Sequence, residues 1–292
     1  MGDGGCEGCA ERSTSNLARV TKRSLVLPDR GTLLVSTDLH GNLEDFLALE
    51  ARAEAAWRAG DDLHWALLGD LVHGPDDRAR QQMPDLYDYD DESPALIDRL
   101  FELKQRQPHR VHVVLGNHDV GHLGFPHTSK FHPDEVEALE VRLSASQLER
   151  MRSLFSNGLL VLVAPCGLLL SHGVPGDALT SLSLLEGVLP PTKDQNERFR
   201  AVHELLWSYG QSAPIAASML ERISDELGHR LRVVVHGHDR DQAGWYIEGD
   251  NQVQPVIFGA PRENKRFLEV DLSVRIESCQ QLETAMLRRL HQ

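Results

Sequence analysis

The 292-residue chain has little that would tie it to a membrane or to nucleic acid. Its longest apolar stretch, Leu159 to Leu170, is broken by Pro165 and Gly167 and falls well short of the roughly 20 apolar residues a spanning helix needs. No membrane span is expected. The opening MGDGGCEGCAERSTSN has neither a basic start nor an apolar run, the marks of a secretory leader, and the protein is read as cytoplasmic. Basic residues are in deficit, with 30 Lys and Arg against 44 Asp and Glu and a net charge of -14. That balance repels polyphosphate backbones and argues against general nucleic-acid binding. Cysteine is scarce: Cys6 and Cys9 form one C-x-x-C without the second ligand pair of a structural zinc site, and Cys166 and Cys279 stand apart. Repeats and low-complexity tracts are absent. Histidine, by contrast, is abundant at 15 residues, and several histidines sit beside Gly, Asp or Asn just after apolar runs.

Residues 1–24 are polar and without period, which reads as a flexible tail. From residue 25 to 292 no linker divides the chain, so one domain is expected. Five short runs rich in Val and Leu follow: Thr32 to Thr37, Leu63 to Leu68, Val111 to Leu115, Gly167 to Ser171 and Leu231 to Val235. Their length and abrupt ends suit buried strands. Amphipathic patterns between them predict helices over 43–57, 94–107, 134–155 and 214–227. Strands alternating with helices define an α/β layered fold. Residues 75–91 have no apolar period and an acidic, tyrosine-bearing end, so they read as an exposed insertion, either a solvated loop or a lid favouring basic peptides. Short β-like segments at 244–248, 253–259 and 267–272 suggest a hairpin or meander.

In α/β folds, ligands bind beyond the carboxyl ends of the strands. Here Asp38-Leu39-His40 follows the first run, Gly69-Asp70 the second, Gly116-Asn117-His118-Asp119 the third, His172-Gly173 the fourth and His236-Gly237-His238 the fifth. Each motif alone is a common turn or cap; delivered together at successive strand ends, they form one donor set. Mixed imidazole, carboxylate and amide oxygen suits manganese, iron or zinc, whereas calcium takes oxygen alone. Two such divalent ions can clamp a phosphoryl group and lower the pKa of a bound water.

The blocks TDLHGN, GDLVHG, GNHD, SHG and HGHD resemble, in order, those of the calcineurin-like metallophosphoesterases. ELLWS, the approach SLFSNGLLVLVAPCGLLLSHGVPGD and the segment IFGAPRENKRFLEVDL are similar to the phosphoprotein phosphatase branch in its bacterial form. The resemblance implies a β-sandwich of mixed sheets flanked by helices. It makes Asp38 and His40 ligands of a first metal, Asp70 the bridge, and Asn117, His172 and His238 ligands of a second, with His118 as general acid. His236 is read as structural. The implied activity is hydrolysis of phosphoserine and phosphothreonine without a phosphoenzyme, on phosphoproteins or phosphorylated small molecules. GDLVHGP and VLGNHD also look like the symmetrical dinucleoside tetraphosphate hydrolases, and a scaffold without turnover is a third reading.

The departures are specific. The family's second block ends in an Asp that orients the general acid and an Arg that grips phosphate; His73 and Gly74 stand there instead. Leu115 and Asp119 replace the Arg and Glu that flank the third block, and the Arg expected after ELLWS is missing. His73 reads either as a loop histidine or as a substitute orienter or phosphate donor. Arg78, Arg240 and Arg262 are candidate phosphate grips, each also readable as a solvated surface arginine.

Overall fold

A computed structural model describes residues 22–192 and 194–291. The expected tail therefore lies mostly outside the described residues, although Ser24 already opens the first strand. In chain order the strands are β1 (Ser24–Val26), β2 (Thr32–Ser36), β3 (Leu63–Leu68), β4 (Val111–Val114), β5 (Val161–Ala164), β6 (Leu168–Leu170), β7 (Val233–Val235), β8 (Trp245–Glu248), β9 (Gln252–Pro255), β10 (Arg266–Asp271) and β11 (Leu287–Arg289). They form two mixed sheets, ordered β1-β5-β6-β7-β9-β8 and β11-β10-β2-β3-β4.

The sheets pack face to face, and the alternation of side chains explains the unbroken apolar runs. Leu33 and Val35 of β2, Ala66 and Leu68 of β3, Leu168 and Leu170 of β6, and Val233 and Val235 of β7 share one core between the sheets. Their neighbours Leu34, Trp65, Leu67, Leu169 and Val234 belong to a second core packed with helix residues such as Phe46, Leu100 and Ile223. With both faces buried, a strand has no polar side to show. This is the expected α/β sandwich flanked by helices.

The helices α1 (Leu43–Ala59), α4 (Ser93–Arg106) and α9 (Ala213–Leu227) occupy the expected segments. The helix expected over 134–155 is divided into α6 (Glu135–Glu140) and α7 (Ala145–Ser156). The break has a local cause: the Ser144 hydroxyl accepts the Gln147 N–H while the Gln147 side chain accepts the Ser144 N–H, a reciprocal cap that starts a new helix. The three late β segments do not form one meander. β8 and β9 pair antiparallel in the first sheet, whereas β10 crosses to the second and pairs with β2. Helix α8 (Asn196–Trp207) carries the ELLW segment.

The insertion is more structured than its polarity suggests. It folds into α2 (Asp77–Gln82) and α3 (Pro84–Tyr87), and Tyr87 is 1% exposed against Phe258. Among the described residues, no helix is long and apolar enough to cross a membrane.

Candidate metal centre

The strand ends bring Asp38, His40, Asp70, Asn117, His118, His172 and His238 into one pocket, none more than partly exposed. The backbone reaches this arrangement at a cost. Every non-glycine residue with positive φ among the described residues belongs to it or touches it: Asp38 (36°), His40 (44°), Asp70 (51°), His73 (69°) and His238 (78°). Left-handed backbone is costly for such residues, and its confinement to this pocket is the pattern of a functional site. Gly116 is required for the same closeness, since a Cβ there would meet the Asp70 Oδ1 at 2.2 Å.

The orientation of the rings identifies what the pocket can hold. His172 Nδ1 donates to the Leu68 carbonyl at 2.8 Å, so its Nε2 carries a lone pair. That lone pair faces Asn117 Oδ1 at 3.0 Å, His238 Nδ1 at 3.1 Å and Asp70 Oδ2 at 3.5 Å. His40 Nδ1 likewise donates to the His73 carbonyl at 3.1 Å, leaving its Nε2 lone pair 3.6 Å from Asp70 Oδ2. Electron-rich atoms converging on Asp70 from two sides repel one another unless a cation lies between them. The groups His40, Asp70, His118 and Asp70, His172, His238 each place a donor atom within 4.8 Å of the others. The donor set therefore fits two divalent ions sharing Asp70.

Charge states agree with this reading. Burial holds His40 and His172 below their ordinary range, and it holds His238 at about 3, so the rings are neutral as ligands must be. Burial raises Asp70, but the surrounding His172, His118, His40 and His238 outweigh it and keep the carboxylate ionised. Asp38 is the exception: burial and Asp70 push it upward, toward the neutral acid, a shift that a cation between the two carboxylates would oppose; both its oxygens accept the His238 N–H at 3.1 Å. Behind the ligands, Asp119 accepts the N–H groups of Asp70, Leu71 and Gly116, each at 2.9 Å, and so locks the second and third motifs together. His236 is fully buried and bonded to the Gly237 carbonyl at 2.9 Å, consistent with a structural part.

A buried carboxylate lies behind His118. His118 Nε2 faces Asp70 Oδ2 at 4.0 Å, while Nδ1 lies 3.0 Å from Glu135 Oε2. Glu135 is 1% exposed, at the first position of α6, and is held by the Phe131 N–H at 2.6 Å and by the Thr128 hydroxyl. Burial opposes its charge, but the hydrogen bond and charge of His118, with Thr128 and the Phe131 amide, keep its carboxyl at about 2. Sequence reasoning missed Glu135, because a Glu following the cap Asp134 reads as ordinary helix-start chemistry.

His73 does not point at the metal donors. Its Nδ1 lies 3.1 Å from His118 Nδ1 and its Nε2 3.1 Å from His122 Nε2, and His122 Nδ1 in turn meets Glu140 Oε1 at 3.0 Å. This places it against the His118 ring, the position of the expected orienter, with Nδ1 also 3.5 Å from Glu135 Oε2. Gly74 cannot be replaced by a phosphate-gripping Arg, since a Cβ there would meet Asp91 Cβ at 2.7 Å and the His40 carbonyl at 2.9 Å. Arg78 and Arg240 line a cavity beside the centre. Arg262 does not line that cavity; it pairs with Glu44 at 2.7 Å, both side chains more than half exposed, the alternative surface reading of this arginine. Lys130 shares the cavity of Arg78 and Arg240 and was missed as well.

A sandwich carrying a His, Asp and Asn donor set at its strand ends, built around one shared carboxylate, is a dimetal hydrolase architecture. The family model described as calcineurin-like phosphoesterase matches residues 31–248, and the chain belongs to that dimetal-dependent family. Among solved structures, a protein serine/threonine phosphatase from Saccharomyces cerevisiae is similar in fold at 19% identity, with TM-score 0.54, covering 86% of this chain and 77% of the other. The cold-active protein-tyrosine phosphatase of a psychrophilic Shewanella is similar at 12% identity and TM-score 0.51, covering 88% and 82%. No curated protein matches the chain.

Proposed function

We propose that the chain is a dimetal-dependent phosphomonoesterase acting on phosphoserine and phosphothreonine in proteins. The observation that carries this reading is the orientation of His118: Nδ1 is fixed on Glu135 at 3.0 Å and Nε2 faces the shared carboxylate of the metal donors. An alkoxide is a poor leaving group and gains from a positioned proton donor, whereas the phosphate expelled from an anhydride is stable as an anion and gains much less. When bound, two divalent ions clamp phosphoryl oxygens and acidify water. The assigned ligands are Asp38, His40, Asp70, Asn117, His172 and His238. Asp70 would be the carboxylate shared by the two ions, and Asp119 keeps its loop in place. His118 hands a proton from Nε2 to the departing oxygen, and Glu135 keeps that face of the ring turned inward. Both solved neighbours reported above are named as protein phosphatases, one for serine and threonine and one for tyrosine, so fold likeness supports a phosphoprotein without selecting the residue.

The test is hydrolysis by manganese-loaded protein of a phosphothreonine peptide and of diadenosine tetraphosphate side by side, with Asp70→Asn as the blank. Faster peptide turnover is expected. Preferential cleavage of the dinucleotide would overturn the monoester reading.

A further inference from the structure

On the Phe258 side of the metal centre lies a cavity of about 730 Å³, lined among others by Arg78, Tyr87, Lys130, Phe131 and Arg240. The chain carries a net charge of -14, and many of its arginines are met by carboxylates, as Arg80 is by Asp77 and Arg142 by Asp91, while others, such as Arg266 and Arg288, bond only to backbone carbonyls. Among the described residues, no carboxylate oxygen lies within 4.0 Å of the side-chain nitrogens of Arg78, Lys130 or Arg240. Asp76 at the rim is already engaged, capping α2 by accepting the Ala79 N–H at 2.7 Å. Lys130 also feels Asp70, Asp38 and Glu135 across the pocket, and Arg240 opposes its charge; an anion placed among the three cations turns their mutual repulsion into attraction.

Two of the cations, Lys130 and Arg240, are also held in place. Lys130 Nζ sits 4.3 Å from the centre of the Phe258 ring and 5.5 Å from that of Phe131, positions stabilised by the ring faces. Arg240 donates to the Tyr87 hydroxyl at 2.8 Å, and Tyr87 stacks on Phe258 with centroids 5.1 Å apart. Phe258 in turn touches the His40 ring at 3.9 Å, so the cavity abuts the metal donors. The acidic part of the insertion faces elsewhere: Asp85 and Asp88 line a separate cavity with Glu44 and Arg262.

We propose that this cavity is a subsite for a second phosphate of the substrate, held by Arg78, Lys130 and Arg240 while the scissile phosphate occupies the metal centre. The proposal rests on the phosphomonoesterase reading and narrows it to substrates carrying two phosphates in close succession. It also runs against the option of a lid favouring basic peptides, one of the two readings of the insertion. Two sources share this chemistry, a doubly phosphorylated peptide and an oligophosphate chain.

The test uses manganese-loaded full-length protein and fluorescent peptides in which one or two phosphothreonines are replaced by non-hydrolysable phosphonates. Binding is read by anisotropy. The two-phosphonate peptide is expected to bind about 10- to 100-fold more tightly, the effect of one or two charge-assisted hydrogen bonds. Lys130→Ala and Arg240→Ala should each pull that ratio toward one and flatten its salt dependence. Equal affinity of the two peptides for the unaltered protein, or a ratio that neither substitution moves, would overturn the subsite. Competition by diadenosine tetraphosphate that Lys130→Ala abolishes would assign the subsite to oligophosphates; a peptide effect without such competition would assign it to phosphopeptides. Because binding is read without turnover, a protein that hydrolyses no phosphothreonine peptide yet keeps the ratio would refute the phosphatase reading while leaving the subsite standing.

Discussion

The loops at the strand ends and the segment from Gly124 to Glu135 both contribute to the pocket, but by different means. Asp38, Asp70, Asn117, His172 and His238 stand two or three residues beyond strands whose two faces are fully packed, so their positions follow from the sheets. Thr128, Lys130 and Glu135 come from a stretch without strand or helix until α6 begins. Glu135 is fixed by individual hydrogen bonds to His118, Thr128 and the Phe131 amide, and Lys130 by stacking on Phe258. On the proposed function, the first region would hold the ions, and the second would set where a proton is delivered and what charge is welcome beside it.

If the division holds, damage to the strand-end set should remove metal and rate together. Asp70→Asn is expected to lower turnover by about a thousandfold or more, the loss of several kcal/mol of transition-state stabilisation. Metal analysis of the purified variant should show depletion; full metal content at normal rate would break the comparison. His118→Asn should keep its metal and lose about 10²- to 10⁴-fold in rate on a phosphothreonine peptide. The loss should shrink on p-nitrophenyl phosphate, whose leaving group needs less protonation, and an equal loss on both substrates would remove His118 from its role.

The connecting segment is tested by Glu135→Gln, for which a loss of about 10- to 100-fold in kcat with little change in KM is expected, as for other residues that orient a catalytic histidine. Glu135→Asp should recover part of it. The same variant carries a pH prediction. The carboxyl is held at about 2 against an ordinary 4.5, so its contribution to stability is complete above about 4.5 and is lost as the pH falls from there toward 2. The difference in melting temperature between the unaltered protein and Glu135→Gln should be full at neutral pH and shrink through that window. The smallest effect belongs to Arg262→Ala. Its exposed pair with Glu44 is worth about 0–1 kcal/mol, and activity should stay within about twofold, which a large fall in activity would contradict.

Several features were legible before any coordinates. The five apolar runs became β2, β3, β4, β6 and β7 with ends shifted by only a few residues, because a strand buried on both faces has to be apolar throughout and stops where polar residues begin. The polar residues at those stops include the candidate metal donors for the same reason, as a strand packed on both faces leaves room for functional groups where the chain leaves the sheet. The short β1 and β11, the crossing of β10 to the second sheet and the fold of the insertion were not legible, because edge pairing and docking depend on partners far away in sequence.

What the sequence determined by itself is the set of strands and the donor types at their ends, both written in local pattern. Only the tertiary structure decided that Glu135 stands behind His118, that Asp91 and the His40 carbonyl close the place of an Arg at Gly74, and that Lys130 joins Arg78 and Arg240 around one cavity. These relations lie between residues that share no period and no motif. A carboxylate finds an imidazole, or a lysine an aromatic face, through packing in space, and one-dimensional spacing carries no record of that.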